Sequence, residues 1–302
     1  MEKILVTGGA GFIGSHVAEE ALKIGHKVRI IDNLRTGKIE NVVPGIEFIN
    51  GDIRDTETVK KALKGIDYIL HFAAQASVII STEDPLLDSS INVGGTVNLL
   101  EQATVCGIKH FIFASTGGAI YGNVKTLPAN EDTKNSPLSP YGVSKAAAEV
   151  YCDYYNRLGL PVTVLRFANV YGPRQDIMGE AGVISIFLGN IKTVKPIILY
   201  GDGTSTRDYV YVKDVANLCL EILEKPLREV VNVGTGKETS LRELVTIIQN
   251  ITNVEVTKIT KPIREGEVER ICLDITRISE ITSWSPQTEL SQGISKVWNW
   301  IN

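Results

Sequence analysis

Cysteine is sparse in this 302-residue sequence, and the four present, Cys106, Cys152, Cys219 and Cys272, lie far apart. They form no CxxC pair, which argues against a disulfide scaffold or a cysteine-based zinc site. The four histidines, His16, His26, His71 and His110, show no ligand spacing, so no metal is expected. No apolar run reaches the ~18 residues that would suggest a membrane span. A β-type run begins within three residues of the first, so no signal peptide is expected. Neither sign of charge dominates. The 31 basic and 35 acidic residues leave a net charge of −4, which argues against a nucleic-acid binder driven by phosphate neutralisation. A soluble protein of the reducing cytoplasm is expected, with one large domain or two intimately joined ones.

What is present is alternation. Short β-rich apolar runs at 4–7, 28–32, 47–50, 68–72, 111–115 and 162–167 are apolar on both faces, as buried parallel strands are. Helical patterns lie between them at 12–24, 56–63, 85–106 and 140–158, and Asp84-Pro85 reads as an N-cap followed by proline at the first helical position. This order predicts an α/β fold with a doubly wound parallel sheet of the Rossmann type. After about residue 168 glycine and proline become frequent and strands shorter. The expected organisation is a first domain over 1–168 with return segments near 205–225, and a smaller interwoven α/β domain mainly over 169–302.

The run 4–7 leads into Gly8-Gly9-Ala10-Gly11-Phe12-Ile13-Gly14. Gly9, Gly11 and Gly14 satisfy G-x-G-x-x-G, and Gly8, Gly11 and Gly14 satisfy the looser G-x-x-G-x-x-G. Glycines here permit a tight turn, close approach of backbone to a pyrophosphate and close helix–strand packing, while the helix that follows offers free N–H groups to phosphate. The next strand ends on Asp32, 18 residues past Gly14, where a carboxylate can accept both hydroxyls of an adenosine ribose. Asp32 therefore favours NAD over NADP, with Arg35 and Lys38 read as a solvated loop.

Three Tyr-x-x-x-Lys matches occur: Tyr121/Lys125, Tyr141/Lys145 and Tyr209/Lys213. A Gly-Asn turn follows Tyr121, and Tyr209 begins an alternating, strand-like run in which four residues span roughly 13 Å. Tyr141 opens a helix of good formers, where positions i and i+4 share a face. Only this pair places an ammonium beside a phenol by local geometry. A free phenol titrates near 10, so a base at neutral pH needs about 4 kcal/mol of preferential phenolate stabilisation, which nearby cations can supply.

Taken together, TGGAGFIGSH from Thr7, DNL at Asp32, GDIRD at Gly51, HFAAQASV at His71, STGGAIYG at Ser115, SPYGVSK at Ser139 and RFANVYGPR at Arg166 resemble the extended short-chain dehydrogenase/reductase family. GDGTSTRDYVYVKDV from Gly201, NVGTG from Asn232 and REGE from Arg264 bring the likeness closest to its UDP-glucose (UDP-galactose) 4-epimerases. The resemblance implies an isomerase with NAD as a prosthetic group. The cofactor would be held by Gly8, Gly11, Phe12, Ile13, Gly14, Asp32, Asn33, Asp52, Ile53, Ala73, Ala74, Gln75, Asn92 and Ser115. Tyr141 would be the base, with Lys145 its partner on the nicotinamide ribose. Asn169, Val183, Arg207, Arg264 and Glu267 would meet the UDP-sugar. The family usually has Ser or Thr four residues before the tyrosine of the Tyr-Gly pair, where this chain has Gly117. Thr116 is the expected substitute for hydrogen-bonding the sugar O4, with Ser115 the other hydroxyl in reach.

By the same resemblance the reaction is a hydride shuttle at sugar carbon 4 through a 4-keto sugar that turns in place. Other nucleotide-sugar epimerases, such as those acting on UDP-N-acetylglucosamine, and a UDP-glucuronate decarboxylase remain alternatives. A 4,6-dehydratase would need an acid pair where Gly117-Gly118 stand. A nonenzymatic dinucleotide-binding sensor is the remote alternative, since it has no use for the Tyr–Lys pair. The helices 85–106 and 140–158 resemble the pair that forms the family's dimer interface, so a homodimer is expected.

Overall fold

The computed structural model describes residues 1–177, 182–262 and 268–302. Seven strands form the main sheet: β1 (Lys3–Thr7), β2 (Lys27–Asp32), β3 (Glu47–Asn50), β4 (Tyr68–His71), β5 (His110–Thr116), β6 (Val162–Phe167) and a last strand, Val230–Val233. Their spatial order is Val230–Val233, β6, β5, β4, β1, β2, β3. The β1–β2, β1–β4, β2–β3 and β4–β5 pairs are all parallel. Winding reverses between β1 and β4, which makes the carboxyl ends of these strands the topological switch point where ligands bind in such sheets. Register aligns those ends: Thr7 lies opposite both Ile31 and His71. The Gly8 loop, Asp32 and the segment after His71 therefore leave the sheet at one level.

Continuous apolar runs become strands covered on both faces. Ile4, Leu5, Val6, Ile30, Ile31, Ile69 and Leu70 are fully buried. One helical layer packs its Val59, Leu63, Leu99, Leu100, Ala103, Ala148 and Cys152 against Leu5, Phe111, Phe113 and Val164.

The chain divides into two compact units. The first comprises Met1–Thr116, Ser139–Arg166 and Val215–Val231, and the second Gly117–Leu138, Phe167–Asp214 and Asn232–Asn302. The second has its own core, in which Tyr171, Phe187, Leu188, Tyr209, Leu244 and Ile294 meet. Helix Val183–Lys192 begins on Val183, which packs against this core.

One helix differs from its sequence pattern. The run 85–106 is continuous but not uniform: Pro85–Ser89 and Thr96–Cys106 are α-helical, and Ser90–Gly95 between them is a π turn. The Asp84 carboxylate caps its start, accepting the Leu87 N–H at 2.9 Å. Wide turns of this kind cost hydrogen-bond geometry and collect at functional sites.

Candidate functional site

Gly8 leaves β1 with φ +68°, a left-handed backbone that favours glycine. A Cβ there would stand 2.6 Å from the Ala73 nitrogen, so Gly8 lies directly against the segment after β4. A Cβ on Gly14 would fall on the Gly8 carbonyl. The helix Phe12–Lys23 starts at Gly11 with no side chain capping it. The N–H groups of its first turn, those of Phe12, Ile13 and Gly14 among them, have no carbonyl within the helix to bond. A concave turn of small residues at an uncapped helix N-terminus fits a pyrophosphate.

The Asp32 carboxylate orders the rim of this turn. It accepts Ala10 N–H at 3.0 Å and Leu34 N–H at 2.8 Å, which leaves lone pairs on each oxygen for a ribose diol. Arg35 and Lys38 are exposed. Asn33 and Asp52 meet at 3.2 Å, and Arg54 clamps Asp52 from the other side at 2.7 and 2.9 Å. The Arg54 guanidinium holds the Asp52 carboxyl down at about 2. Ile53 is buried, and a Cβ on Gly95 of the π turn would lie 2.5 Å from its side chain.

Tyr141 owes its place to a strong helix start. Ser139 Oγ accepts the Gly142 N–H at 3.2 Å, and Pro140 opens the helix Pro140–Arg157. Tyr141 then falls in the first turn and Lys145 one turn on. Tyr141 and Thr116 are half-buried, and the Thr116 hydroxyl lies near enough to the phenol to act on its ionisation. Burial and the Asp88 carboxylate push the Tyr141 phenol up to about 12, while the Thr116 hydroxyl pulls it back. Lys145 is 4% exposed, with Nζ 4.1 Å from the centre of the Phe113 ring. Burial lowers its ammonium to about 8.

Ser115, the neighbouring hydroxyl, points elsewhere. Its Oγ donates at 2.5 Å to Glu149, which is ion-paired with Arg166 at 2.6 Å in the core. Thr116, not Ser115, is thus the hydroxyl at the phenol. A Cβ on Gly117 would lie 2.6 Å from the Leu273 side chain, which accounts for glycine where the family usually has a hydroxyl residue.

A hydrogen-bonded chain runs from β1 to the Tyr141 helix. Ala73 N–H donates to Thr7 Oγ1 (3.2 Å), and Thr7 Oγ1 lies 2.6 Å from His71 Nδ1. On the other side of the ring, His71 Nε2 lies 2.9 Å from Thr96 Oγ1, whose own proton goes to the Asn92 carbonyl at 2.6 Å. The Thr96 hydroxyl's role places a proton on His71 Nε2, and burial with the nearby Lys145 charge, which holds the imidazole well below its usual range, keeps the ring neutral. Asn92 then ties three elements together. Its Oδ1 accepts the Gln75 N–H at 2.9 Å, and its Nδ2 reaches the Gln75 carbonyl at 2.9 Å, Asp88 at 3.0 Å and Ser144 at 3.1 Å. Ser144 in turn donates to the Tyr141 carbonyl at 3.0 Å. The Gln75 side chain is engaged by Ser77 at 2.7 and 2.8 Å and by Asp88 at 2.8 Å. The side-chain donors of Gln75 and Asn92, expected to line the cofactor, are bonded within the protein.

A sequence model described as the NAD dependent epimerase/dehydratase family matches residues 4–234. The chain is 47% identical over 300 residues to a putative UDP-glucose 4-epimerase of Methanocaldococcus jannaschii, covering 99% of this chain and 98% of that one. It superposes on the UDP-glucose 4-epimerase of Thermotoga maritima solved with UDP-glucose (TM-score 0.96, 43% identity, 99% and 98% coverage). It also superposes on that of Thermus thermophilus solved with NAD (TM-score 0.94, 42% identity, 99% and 98% coverage). The chain belongs to the NAD dependent epimerase/dehydratase family.

The second unit of this family member carries the remaining expected residues. Asn169 begins a short strand, Asn169–Tyr171, paired parallel with Tyr209–Tyr211. Arg207 lies in Thr206–Arg207, paired antiparallel with Thr239–Ser240, and its guanidinium donates to the Thr206 carbonyl at 2.8 Å. The neighbouring Asp208 is buried and holds the Thr235-Gly236 turn, accepting Thr235 N–H at 2.9 Å and Gly236 N–H at 3.1 Å. Arg264 and Glu267 lie outside the described residues. The sequence reading missed Thr7, His71, Thr96, Ser144 and Asp88. The signal available was spacing: Asp88, Asn92 and Thr96 recur every four residues along one helix face.

Proposed function

We propose that the chain is an NAD-dependent 4-epimerase of UDP-sugars that interconverts UDP-glucose and UDP-galactose. The observation that carries this is the Thr116 hydroxyl acting on the Tyr141 phenol, with buried Lys145 one helical turn along, at the carboxyl ends of the sheet strands. The first unit would hold NAD through Gly8, Gly11, Phe12, Ile13, Gly14, Asp32, Asn33, Asp52, Ile53, Ala73 and Ala74. The Asp32 carboxylate favours NAD over NADP, because a 2′-phosphate would meet a like charge. In the second unit Asn169, Val183, Arg207, Arg264 and Glu267 are the residues assigned to the UDP-sugar.

NAD, when bound, supplies the acceptor and donor of hydride at sugar carbon 4. Tyr141 accepts the proton of the 4-hydroxyl and returns it to the same oxygen from its phenol. Thr116 donates a hydrogen bond to that oxygen as charge develops on it. Lys145 keeps a positive charge beside the phenolate. The phenol starts at about 12, so bringing it to about 7 needs on the order of 7 kcal/mol from these positive groups. Thr116→Val should therefore cut kcat by a factor of about ten or more, measured with the sugar nucleotide saturating. Unchanged turnover would remove Thr116 from the reaction.

Lys145 has a consequence for stability. Its folded ionisation at about 8 lies below its ordinary 10.5, so between these values the unfolded chain holds a proton that the folded chain has released. The stability it confers is full above 10.5 and is lost as pH falls through 8. Relative to Lys145→Met, urea unfolding of the native chain should gain about 3 kcal/mol between pH 8 and 10.5. A flat difference would mean that burial leaves the ammonium unperturbed.

Gly117 argues against the dehydratase reading, since Leu273 occupies the space an acidic side chain would need there. Incubation with UDP-galactose and with UDP-glucuronate, without added cofactor, separates the remaining readings. UDP-glucose from the first is expected. Carbon dioxide from the second alone would favour a decarboxylase. A homodimer in the reducing cytoplasm fits the exposed Leu86, Val105, Val143, Val150, Tyr151 and Tyr154 on the two helices expected to form the interface, together with four cysteines that form no disulfide.

A further inference from the structure

Asp88 is a buried acid to which the mechanism above gives no part. It is 1% exposed and sits one helical turn before Asn92. Its Oδ1 accepts Gln75 Nε2–H at 2.8 Å and Asn92 Nδ2–H at 3.0 Å. Its Oδ2 is buried and accepts no hydrogen bond. An unpartnered buried acceptor is costly, and such exceptions call for a reason. No donor neutralises Oδ2, and a charge carried there acts strongly on its neighbours in a low-dielectric interior.

The helix Pro140–Arg157 is packed by Val78–Glu83, Pro85–Ser89, the π turn, Thr96–Cys106 and β5. The titratable groups these present are Glu83, Asp88, Glu101, Cys106 and His110. Glu83, Glu101 and Cys106 are exposed, and His110 is buried between the Leu223 carbonyl and Thr163. On the helix itself Glu149 is paired with Arg166 and Asp153 with Arg157. Buried His71 is neutral. Asp88 is thus the buried carboxylate without a cationic partner on these elements, among the described residues.

We propose that Asp88 is a positioning residue of the Tyr141 site, an inference that rests on the reading of that site given above. Its carboxylate fixes Gln75 and Asn92, reaches the Tyr141 carbonyl through Asn92 and Ser144, and acts on the Tyr141–Lys145 pair as a negative charge. That charge opposes ionisation of the phenol and supports the Lys145 ammonium. It sets the level against which the positive groups of the site must work.

The test is the titration of Tyr141 in the protein as purified with its cofactor, followed by the ¹³Cζ resonance of labelled tyrosine and assigned by its loss in Tyr141→Phe. In Asp88→Asn, which keeps the shape and removes the charge, the phenol should titrate at least ~0.5 pH units lower, about threefold more phenolate at a given pH below the midpoint. Asp88→Ser, which relieves packing as well, should move it the same way. Both limbs of the pH profile of kcat should follow, and Asp88→Glu should leave the titration near that of the native protein. A phenol that titrates at the native pH in Asp88→Asn would overturn the proposal, as would an equal shift in Asp88→Glu. The resonance reads Asp88 even where no sugar nucleotide turns over, so a failure of the epimerase reading is seen separately.

Discussion

Tyr141→Phe should lower kcat roughly 1,000-fold or more while the cofactor remains bound. The substitution removes one oxygen from a half-buried side chain on whose ionisation the Thr116 hydroxyl acts. A positioned acid–base group is worth about 10²–10⁴ in rate. The upper part of that range is expected because the same oxygen both takes the proton and returns it. The measurement is steady-state turnover of UDP-galactose beside the cofactor content of acid-denatured protein. Retained activity above a tenth of the native value would move the base to another residue. Neither competing Tyr-x-x-x-Lys match offers one. Tyr121 is buried and donates to Asn232 at 2.7 Å, and Tyr209 is buried in the core of the second unit.

The second large effect is expected at Gly14. Its added Cβ in Gly14→Ala would collide with the Gly8 carbonyl, and Gly9 Cα lies only 3.0 Å away. All of these are backbone atoms, so no rotamer relieves the clash. The helix Phe12–Lys23 would have to lift off the turn, and its first N–H groups would leave the phosphate position. The protein should purify without NAD and lose about 3 kcal/mol of stability, a severe overpacking. Gly94→Ala is the control, since no atom lies within 4 Å of its Cβ position. Native cofactor content in Gly14→Ala would show that the turn adapts and that the cradle does not depend on its tightness.

Much of the first unit was legible because its strands, the edge strand β3 apart, are buried on both faces. Continuous apolar runs bounded by glycine or by an acid mark their ends, and β2, β3 and β6 end on Asp32, Asn50 and Phe167 as the runs do. The Tyr141 helix was legible through Ser139-Pro140, a cap and a first residue with defined geometry. The excursion of Gly117–Leu138 into the second unit was not, because no linker composition marks that crossing; a return to the first unit was expected near 205–225, and the segment found there is Val215–Val231. The π turn Ser90–Gly95 was hidden as well, because widening one turn changes hydrogen-bond partners and not composition.

At the site, the pairing of Tyr141 with Lys145 followed from helix periodicity, whereas the ionisation of the phenol did not. Burial and Asp88 raise it, so the demand on the positive groups grows from about 4 to about 7 kcal/mol. The same contrast holds for Gln75 and Asn92. The family resemblance implied ligand contacts for them, and only the three-dimensional arrangement shows their donors bonded to Ser77, Asp88 and Ser144. Thr116 was expected ahead of Ser115 from the resemblance, with no local reason in the sequence to separate the two. Strand alternation separates them, sending Ser115 into the Glu149–Arg166 pair and Thr116 to the phenol.

The central claim is that the hydrogen removed from sugar carbon 4 returns to that carbon within one enzyme-bound cycle. The most direct measurement is conversion of UDP-galactose deuterated at carbon 4, in ordinary water and without added cofactor, followed by NMR of the product. The account predicts UDP-glucose with deuterium retained at carbon 4. Loss of the label to water, or its appearance in an added NAD pool, would contradict it.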